Sequence, residues 1–292
     1  MALVFKKISV IGLGLIGTSI LHAINAKEDK DIVTLAYDIN PDHRDVVLKM
    51  NIASFVFSKI EDAIKDADLI ILSIPVGSMS DVAKLIAPFL KKYAVITDTG
   101  STKQSVIKDV TPHLPNNVYF IPSHPLAGTE YSGPKSGFGT LFENRYWLII
   151  SDKETKQTKQ LRSFFIKLGS LVETISMSYH DRILAITSHL PHLIAYTIVG
   201  TASDLETDLK NDVIKFSASG FRDFTRIASS DPIMWRDIFI HNSDAVLEML
   251  QRFNEDLSDL QKAIRKKDGE KLHSFFSRTR LIRKKIIDAG QS

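Results

Sequence analysis

The chain has 292 residues, of which 44% are hydrophobic and 24% charged, with a formal net charge of +3, the make-up of a globular protein whose core needs no covalent staple. The absence of cysteine excludes disulfides, thiolate-bound metals and a cysteine nucleophile, and suits a reducing compartment. The charge is too mild to point to nucleic acid, although the C-terminal stretch "RTRLIRKK" is basic, which reads as a solvated helix face.

The opening "MALVFKKISVIGLG" is broken by Lys6 and Lys7 and does not read as a signal peptide. Apolar runs such as "LIILSIPV" are too short for a bilayer, so no membrane partner and a cytoplasmic location are expected. From the N-terminus, "KISVIGLG" reads as a strand and "GTSILHAINAK" as a helix. "IVTLAYD" is a second strand, "IEDAIKDA" a short helix, "DLIILSIPV" a third strand and "SDVAKLIAPFLKK" a helix. "AVITDTG" is a fourth strand, "TKQSVIKDVTPHL" a helix and "VYFIPSHP" a fifth strand. The following "SHPLAGTEYSG", rich in Gly, Ser and Pro, reads as a loop at a strand end. "YWLIIS" and "SLVETIS" are two further strands separated by the helical "KQTKQLRSFFIKLG". Strands alternating with helices predict a parallel sheet covered on both faces. Beyond Ser176 the apolar spacing is helical throughout. The expectation is an α/β Rossmann-type dinucleotide-binding domain over residues 1–176, followed by an all-α dimerisation and substrate domain over 177–292.

"GLGLIG" places Gly12, Gly14 and Gly17 at G-x-G-x-x-G spacing, directly after the first strand and opening a helix. The first glycine permits the tight turn, the second the approach of a pyrophosphate, and the third close helix–strand packing. The helix N-terminus, with Leu15 and Ile16 in its first turn, offers free N–H groups to phosphate. Asp38 closes the second strand in "LAYD", where a carboxylate binds ribose hydroxyls and repels a 2′-phosphate. NAD is therefore the expected cofactor, a preference that His43 and Arg44 soften.

"GLGLIGTS", "SIPV", "DTGSTK", "SHPLAGTEYSG", "SHLPH" and "GFRDFTRIASSDPIMWRDI" occur in this order, and with them the chain resembles the prephenate/arogenate (cyclohexadienyl) dehydrogenases of tyrosine biosynthesis. No mutase-like segment and no regulatory domain is recognised, so a single-function form is expected. The resemblance implies oxidative decarboxylation of a cyclohexadiene, with prephenate or arogenate as the small-molecule substrate. It assigns proton acceptance to His124, a chemistry that suits a neutral imidazole. Ser101 is then expected to orient His124 or the substrate hydroxyl and also to cap the following helix. Arg226 is expected to hold the ring carboxylate, a role suited to a guanidinium fork. Asp223 positions Arg226 or His189, or forms with Arg222 an ordinary salt bridge. His189 and His192 are expected to wall the substrate pocket rather than to bind a metal, with Trp235 beside them or in the core. Ser73 and Pro75 of "SIPV" join the glycine loop as cofactor contacts. Lys103 reads as solvated or phosphate-side, and Glu130 as a contact to a neighbouring subunit or a helix cap. The wide apolar arc of "LIAYTIVGTA" predicts a homodimer.

Overall fold

The structure, a computed structural model, describes residues 5–27, 31–205, 212, 213 and 215–288. The chain forms two units, Met1–Ser243 and Asp244–Ser292. The first begins with β1 (Lys7–Ile11), α1 (Leu15–Asn25), β2 (Val33–Tyr37), α2 (Pro41–Met50), β3 (Phe55–Val56), α3 (Ile60–Ile64) and β4 (Leu69–Leu72). It continues through α4 (Met79–Ile86), β5 (Val95–Asp98), α5 (Gln104–Val110) and β6 (Tyr119–Phe120). These six strands form one all-parallel sheet in the order β3-β2-β1-β4-β5-β6, the doubly wound arrangement expected of a dinucleotide-binding domain. Alternation along β4 shows why its sequence has no polar face. Leu69 and Ile71 pack into one cluster with Ile20, Leu21 and Trp147, while Ile70 and Leu72 pack into another with Met79, Ile96 and Val106. Successive side chains point to opposite faces, and both faces are covered.

The structure departs from the expected order at "VYFIPSHP". β6 pairs with β5, but Ser123–Pro125 forms a separate strand, β7, antiparallel to β8 (Tyr146–Ile150). β8 in turn pairs in parallel with β9 (Leu171–Ile175), and α6 (Lys156–Lys167) lies between them in sequence. Pro122, which has no N–H for a ladder, stands where the chain leaves the first sheet, and its carbonyl accepts from Ile150 N at 2.9 Å. His124 therefore sits within a short strand of a three-stranded sheet, and the irregular loop begins only after Pro125. The two-residue β3, too short to signal itself in the sequence, extends the main sheet beyond β2.

Helices follow as expected: α7 (Met177–Leu184), a π-helical turn (Ala185–His189) and α8 (Leu190–Ser203), then α9 (Ser219–Thr225) and α10 (Pro232–His241). The continuous helical stretch Met177–Ser203 is long and apolar enough, by length and composition, to cross a membrane, which exceeds the short runs anticipated from the sequence. It carries His180, Asp181 and His189, all buried, and their hydrogen bonds fasten it to other elements of the same unit. α11 (Ser243–Arg265) carries the chain into the second unit, which ends with α12 (Gly269–Asp288). Leu257, Ile264, Leu281 and Ile286 are exposed there.

Candidate active site

The glycine loop follows β1. Gly12 has φ +95° and a Cβ there would meet Ser73 O at 2.1 Å; a Cβ on Gly17 would meet Gly12 O at 1.9 Å. Both positions demand glycine, the first for its backbone conformation as well as its packing. A Cβ at Gly14 would face open space, and Gly14 stands at the head of α1 with no side chain capping the helix. The loop thus leaves a cradle and orphan N–H donors where a pyrophosphate would sit, and the residues fit a dinucleotide. Leu15 and Ile16 begin α1, half-buried against the core. Ser73 donates its N–H to Ile11 O at 2.7 Å and Pro75 precedes a 3-10 turn, so both line the same C-terminal sheet edge.

Asp38, 9% exposed, ends just beyond β2. One of its oxygens accepts from Leu13 N at 2.7 Å and the other from Asn40 N at 2.8 Å. These bonds fix the carboxylate against the glycine loop and leave lone pairs for ribose hydroxyls. His43 Nδ1 lies 3.2 Å from Asp38 Oδ2, and Arg44 donates to the Asp38 carbonyl at 2.7 Å. His43 and Arg44, both expected from the sequence to bear on this carboxylate, are therefore at this end of the cradle.

At the next strand end, β5 closes on Asp98, and β7 lies beside it. The Ser123 hydroxyl bonds the Asp98 carbonyl at 2.8 Å, and Trp147 Nε1 donates to it at 3.0 Å. Lys103 is completely enclosed, contrary to the solvated role read from sequence. Its ammonium pairs with Asp98 and donates to Ser123 O at 2.8 Å. The lysine thereby ties the end of β5 to the residue preceding His124. Burial pushes the Lys103 pKa down, and Asp98 holds it back up.

His124 is 7% exposed. Its Nδ1 lies 2.9 Å from His180 Nε2, and His180 Nδ1 lies 2.7 Å from Asp181 Oδ1. Asp181 also accepts from Lys103 N at 2.8 Å and Gln104 N at 2.9 Å. It caps α5, the role expected of Ser101, which makes no hydrogen bond to His124 among the described contacts. Among the described residues His124 Nε2 has no hydrogen-bond partner, and it is not among the sealed, unpartnered atoms as His189 Nε2 is. Burial, then the proximity of His180, Lys103 and His189, holds the His124 pKa well below the ordinary histidine value. Burial raises the Asp181 carboxyl, but the His180 bond and the two backbone donors outweigh it, so its pKa lies low. The reading of the sequence missed His180 and Asp181. The adjacent pair "HD" at the head of an apolar helix was the available signal.

His189 and His192 come from the π-helical turn and the first turn of α8. His192 stacks on Trp235 with centroids 3.6 Å apart, and His189 meets the same indole edge-on at 6.0 Å. Asn242 Nδ2 donates to Asp181 O at 3.0 Å and lies 3.1 Å from His189 Nδ1. His189 Nε2 and Trp235 Nε1 are buried without partners. No group of three or more metal-binding side chains occurs among the described residues. Arg226, at the turn after α9, bonds Glu130 Oε2 at 2.7 Å. Glu130 is thereby tied to Arg226 within this chain. Arg222 and Asp223 are exposed, and no hydrogen bond joins Asp223 to Arg226 or His189 among the described contacts.

Residues 22–174 match the family model for the prephenate dehydrogenase nucleotide-binding domain, and residues 176–278 that for the prephenate dehydrogenase dimerization domain. The cyclohexadienyl dehydrogenase of Zymomonas mobilis subsp. mobilis is 40% identical over 282 residues, covering 96% of each chain. The prephenate dehydrogenase of Lactococcus lactis subsp. cremoris is 33% identical over 281 residues, 95% of this chain and 77% of that one. Among solved structures, prephenate dehydrogenase from A. aeolicus in complex with hydroxyphenyl propionate and NAD+ superimposes with a TM-score of 0.89 at 30% identity, covering 98% of this chain and 100% of that chain. Because two family models match successive halves and these relatives align over almost the full length, the chain belongs to the prephenate dehydrogenase family.

Proposed function

We propose that this protein is an NAD-dependent cyclohexadienyl dehydrogenase that converts prephenate to 4-hydroxyphenylpyruvate and carbon dioxide. The observation that carries the reading is the Nε2 of His124, without a hydrogen-bond partner among the described residues, on an imidazole held beside the C-terminal end of β5. That end belongs to the same sheet edge as the glycine cradle, where ligands of open α/β sheets bind. Bound NAD supplies the hydride acceptor. Gly12, Gly14, Leu15, Ile16 and Gly17 would hold its phosphates, Asp38 its ribose, with Ser73 and Pro75 along the edge. His124 Nε2 accepts the C4 hydroxyl proton as the C4 hydride departs. Carbon dioxide leaves C1, the ring aromatises, and the phenolate oxygen recovers a proton. Arg226 exchanges Glu130 for the ring carboxylate, while His189, His192 and Trp235 wall the pocket and Ser101 orients the hydroxyl.

In this reading residues 1–176 bind the cofactor and 177–292 form the dimerisation and substrate domain of a cytoplasmic homodimer. The match to a dimerization domain and the exposure of Ile198, Val199, Phe224, Ile233 and Ile240 support the dimer. Arogenate is a second substrate on this reading, favoured by the 40% identical relative named as a cyclohexadienyl dehydrogenase. The test is NADH formation by purified protein with each substrate, comparing kcat/KM. Absence of turnover with both refutes the assignment, and a preference above 100-fold for arogenate reassigns the substrate.

A further inference from the structure

The mechanism uses one nitrogen of His124. The other is bonded into a chain of buried groups that the reaction itself does not touch. The chain runs from the backbone N–H groups of Lys103 and Gln104 to Asp181, from Asp181 to His180, and from His180 to His124. Its proton positions follow from donor counting. An ionised carboxylate only accepts. Asp181 receives two backbone N–H groups, so the Nδ1 of His180 that faces it carries a proton. A neutral imidazole has one donor and one acceptor nitrogen, so His180 Nε2 is left as an acceptor. The nitrogen opposite it, His124 Nδ1, must then donate, which leaves Nε2 of His124 as the lone-pair nitrogen.

The alternative is a doubly protonated His180 donating to His124, which would place the remaining His124 proton on Nε2 and abolish the base. Several charged and titratable groups face this pair. Lys103 and Asp98 approach from the β5 side, Asp181 from α7 itself and His189 from the π-helical turn. Asp98 is already engaged by Lys103, and His180 and His124 are enclosed. A second cation in this enclosure is disfavoured by burial and by the Lys103 ammonium, and Asp181 alone opposes that. His180 accordingly has a lowered pKa. The Asn242 amide, donating to the Asp181 carbonyl, pins the same turn of α7.

We propose that His180, fixed by Asp181, is a positioning residue that holds His124 in the tautomer whose Nε2 accepts the substrate proton. The logic is that of a base oriented by a third group, lengthened by one imidazole. The inference rests on the assignment of His124 as proton acceptor.

Two variants separate orientation from packing. Gln at 180 can place an amide oxygen where His180 Nε2 lies and still accept from His124 Nδ1–H. Leu fills the space but leaves that donor buried and unpaired. In His180→Leu, kcat with prephenate should fall roughly 10²–10⁴-fold, the upper figure matching loss of the orienting carboxylate in a serine protease, while KM for NAD stays unchanged. His180→Gln should regain most of the loss. Long-range 15N–1H spectra of histidine-labelled wild type should show Nδ1 of His124 as the protonated nitrogen and Nε2 as the bare one. The Leu variant should show a mixture or the reverse. The spectrum is read without substrate, so it decides this proposal even where turnover fails and the functional reading falls. A wild-type His124 protonated on Nε2 overturns it, as does a folded Leu variant with normal kcat and an unchanged tautomer. Should the Leu variant not fold, the wild-type spectrum and the kcat of His180→Gln decide; a Gln variant as impaired as His124→Asn would overturn the proposal.

Discussion

Acid should loosen the helical part of the site before it protonates ordinary carboxylates, and His189 gives the magnitude. Its side chain is wholly enclosed, its Nδ1 faces the Asn242 amide, and its pKa falls from 6.5 to about 4, chiefly by burial and then by the neighbouring His180, with Asp181 opposing. The folded protein keeps His189 neutral down to about pH 4, whereas the unfolded chain takes up a proton near pH 6.5. Between those values the unfolded state binds more protons, so stability declines as pH falls through the window and is flat above it. At pH 5 the difference amounts to about 2 kcal/mol relative to pH 7.5. His124, His180 and His192, also lowered by burial, act in the same direction. The assay is urea unfolding at fixed protomer concentration, since dimerisation contributes to apparent stability. His189→Gln keeps an acceptor for Asn242 and removes one titration. Its loss of stability between pH 7.5 and pH 5 should be about 2 kcal/mol smaller than that of wild type. Identical pH slopes for the two proteins would refute the reasoning.

The parallel sheet was legible because each buried strand carries its own signature: "LIIL" has apolar residues at both parities and packs into both core clusters. The glycine loop and Asp38 were legible because their spacing is local, within one βαβ unit. The break inside "VYFIPSHP" was not, because β-propensity is continuous across it and only the pairing partners differ. Val95 takes Tyr119 and Ile149 takes Ser123, and no single-strand pattern encodes a partner. Lys103 was misread for a related reason. Lysine is almost never fully buried without a partner, and the partner, Asp98, is visible only once the turn between β5 and α5 brings it back. His180 and Asp181 were missed because "SYHDR" has the polarity of a solvated helix start. Their burial depends on the N–H groups of Lys103 and Gln104, 78 and 77 residues away. The glycine loop and Asp38 were thus readable from short-range spacing, while the burial and bonding of His180 and Asp181 depend on tertiary contacts.

Asp38→Ala should weaken NAD and relax discrimination against NADP, since a ribose acceptor and a charge repulsion vanish together; a wild type that already prefers NADP in initial-rate assays would contradict this. His124→Asn should retain NAD binding and lose roughly 10²–10⁴-fold in kcat. The acid limb of its kcat/KM profile, set in wild type by a histidine titrating below the ordinary value, should vanish, and a retained limb would move the base elsewhere. Arg226→Ala tests the carboxylate site. The guanidinium is paired with Glu130 at 2.7 Å, but its side chain is 57% exposed, so the pair itself is worth at most about 1 kcal/mol and its loss should barely move Tm. A substrate carboxylate that displaces Glu130 and excludes water would bind more strongly, at the lower end of the roughly 2–5 kcal/mol lost when a buried charge pair is truncated. KM for prephenate should then rise about 30-fold, the equivalent of about 2 kcal/mol, with the NAD Kd unchanged. A normal KM in the Arg226→Ala protein would leave Arg226 as a surface partner of Glu130 and send the search for the carboxylate's partner to Nε2 of His189 and Nε1 of Trp235, nitrogens buried without acceptors among the described residues.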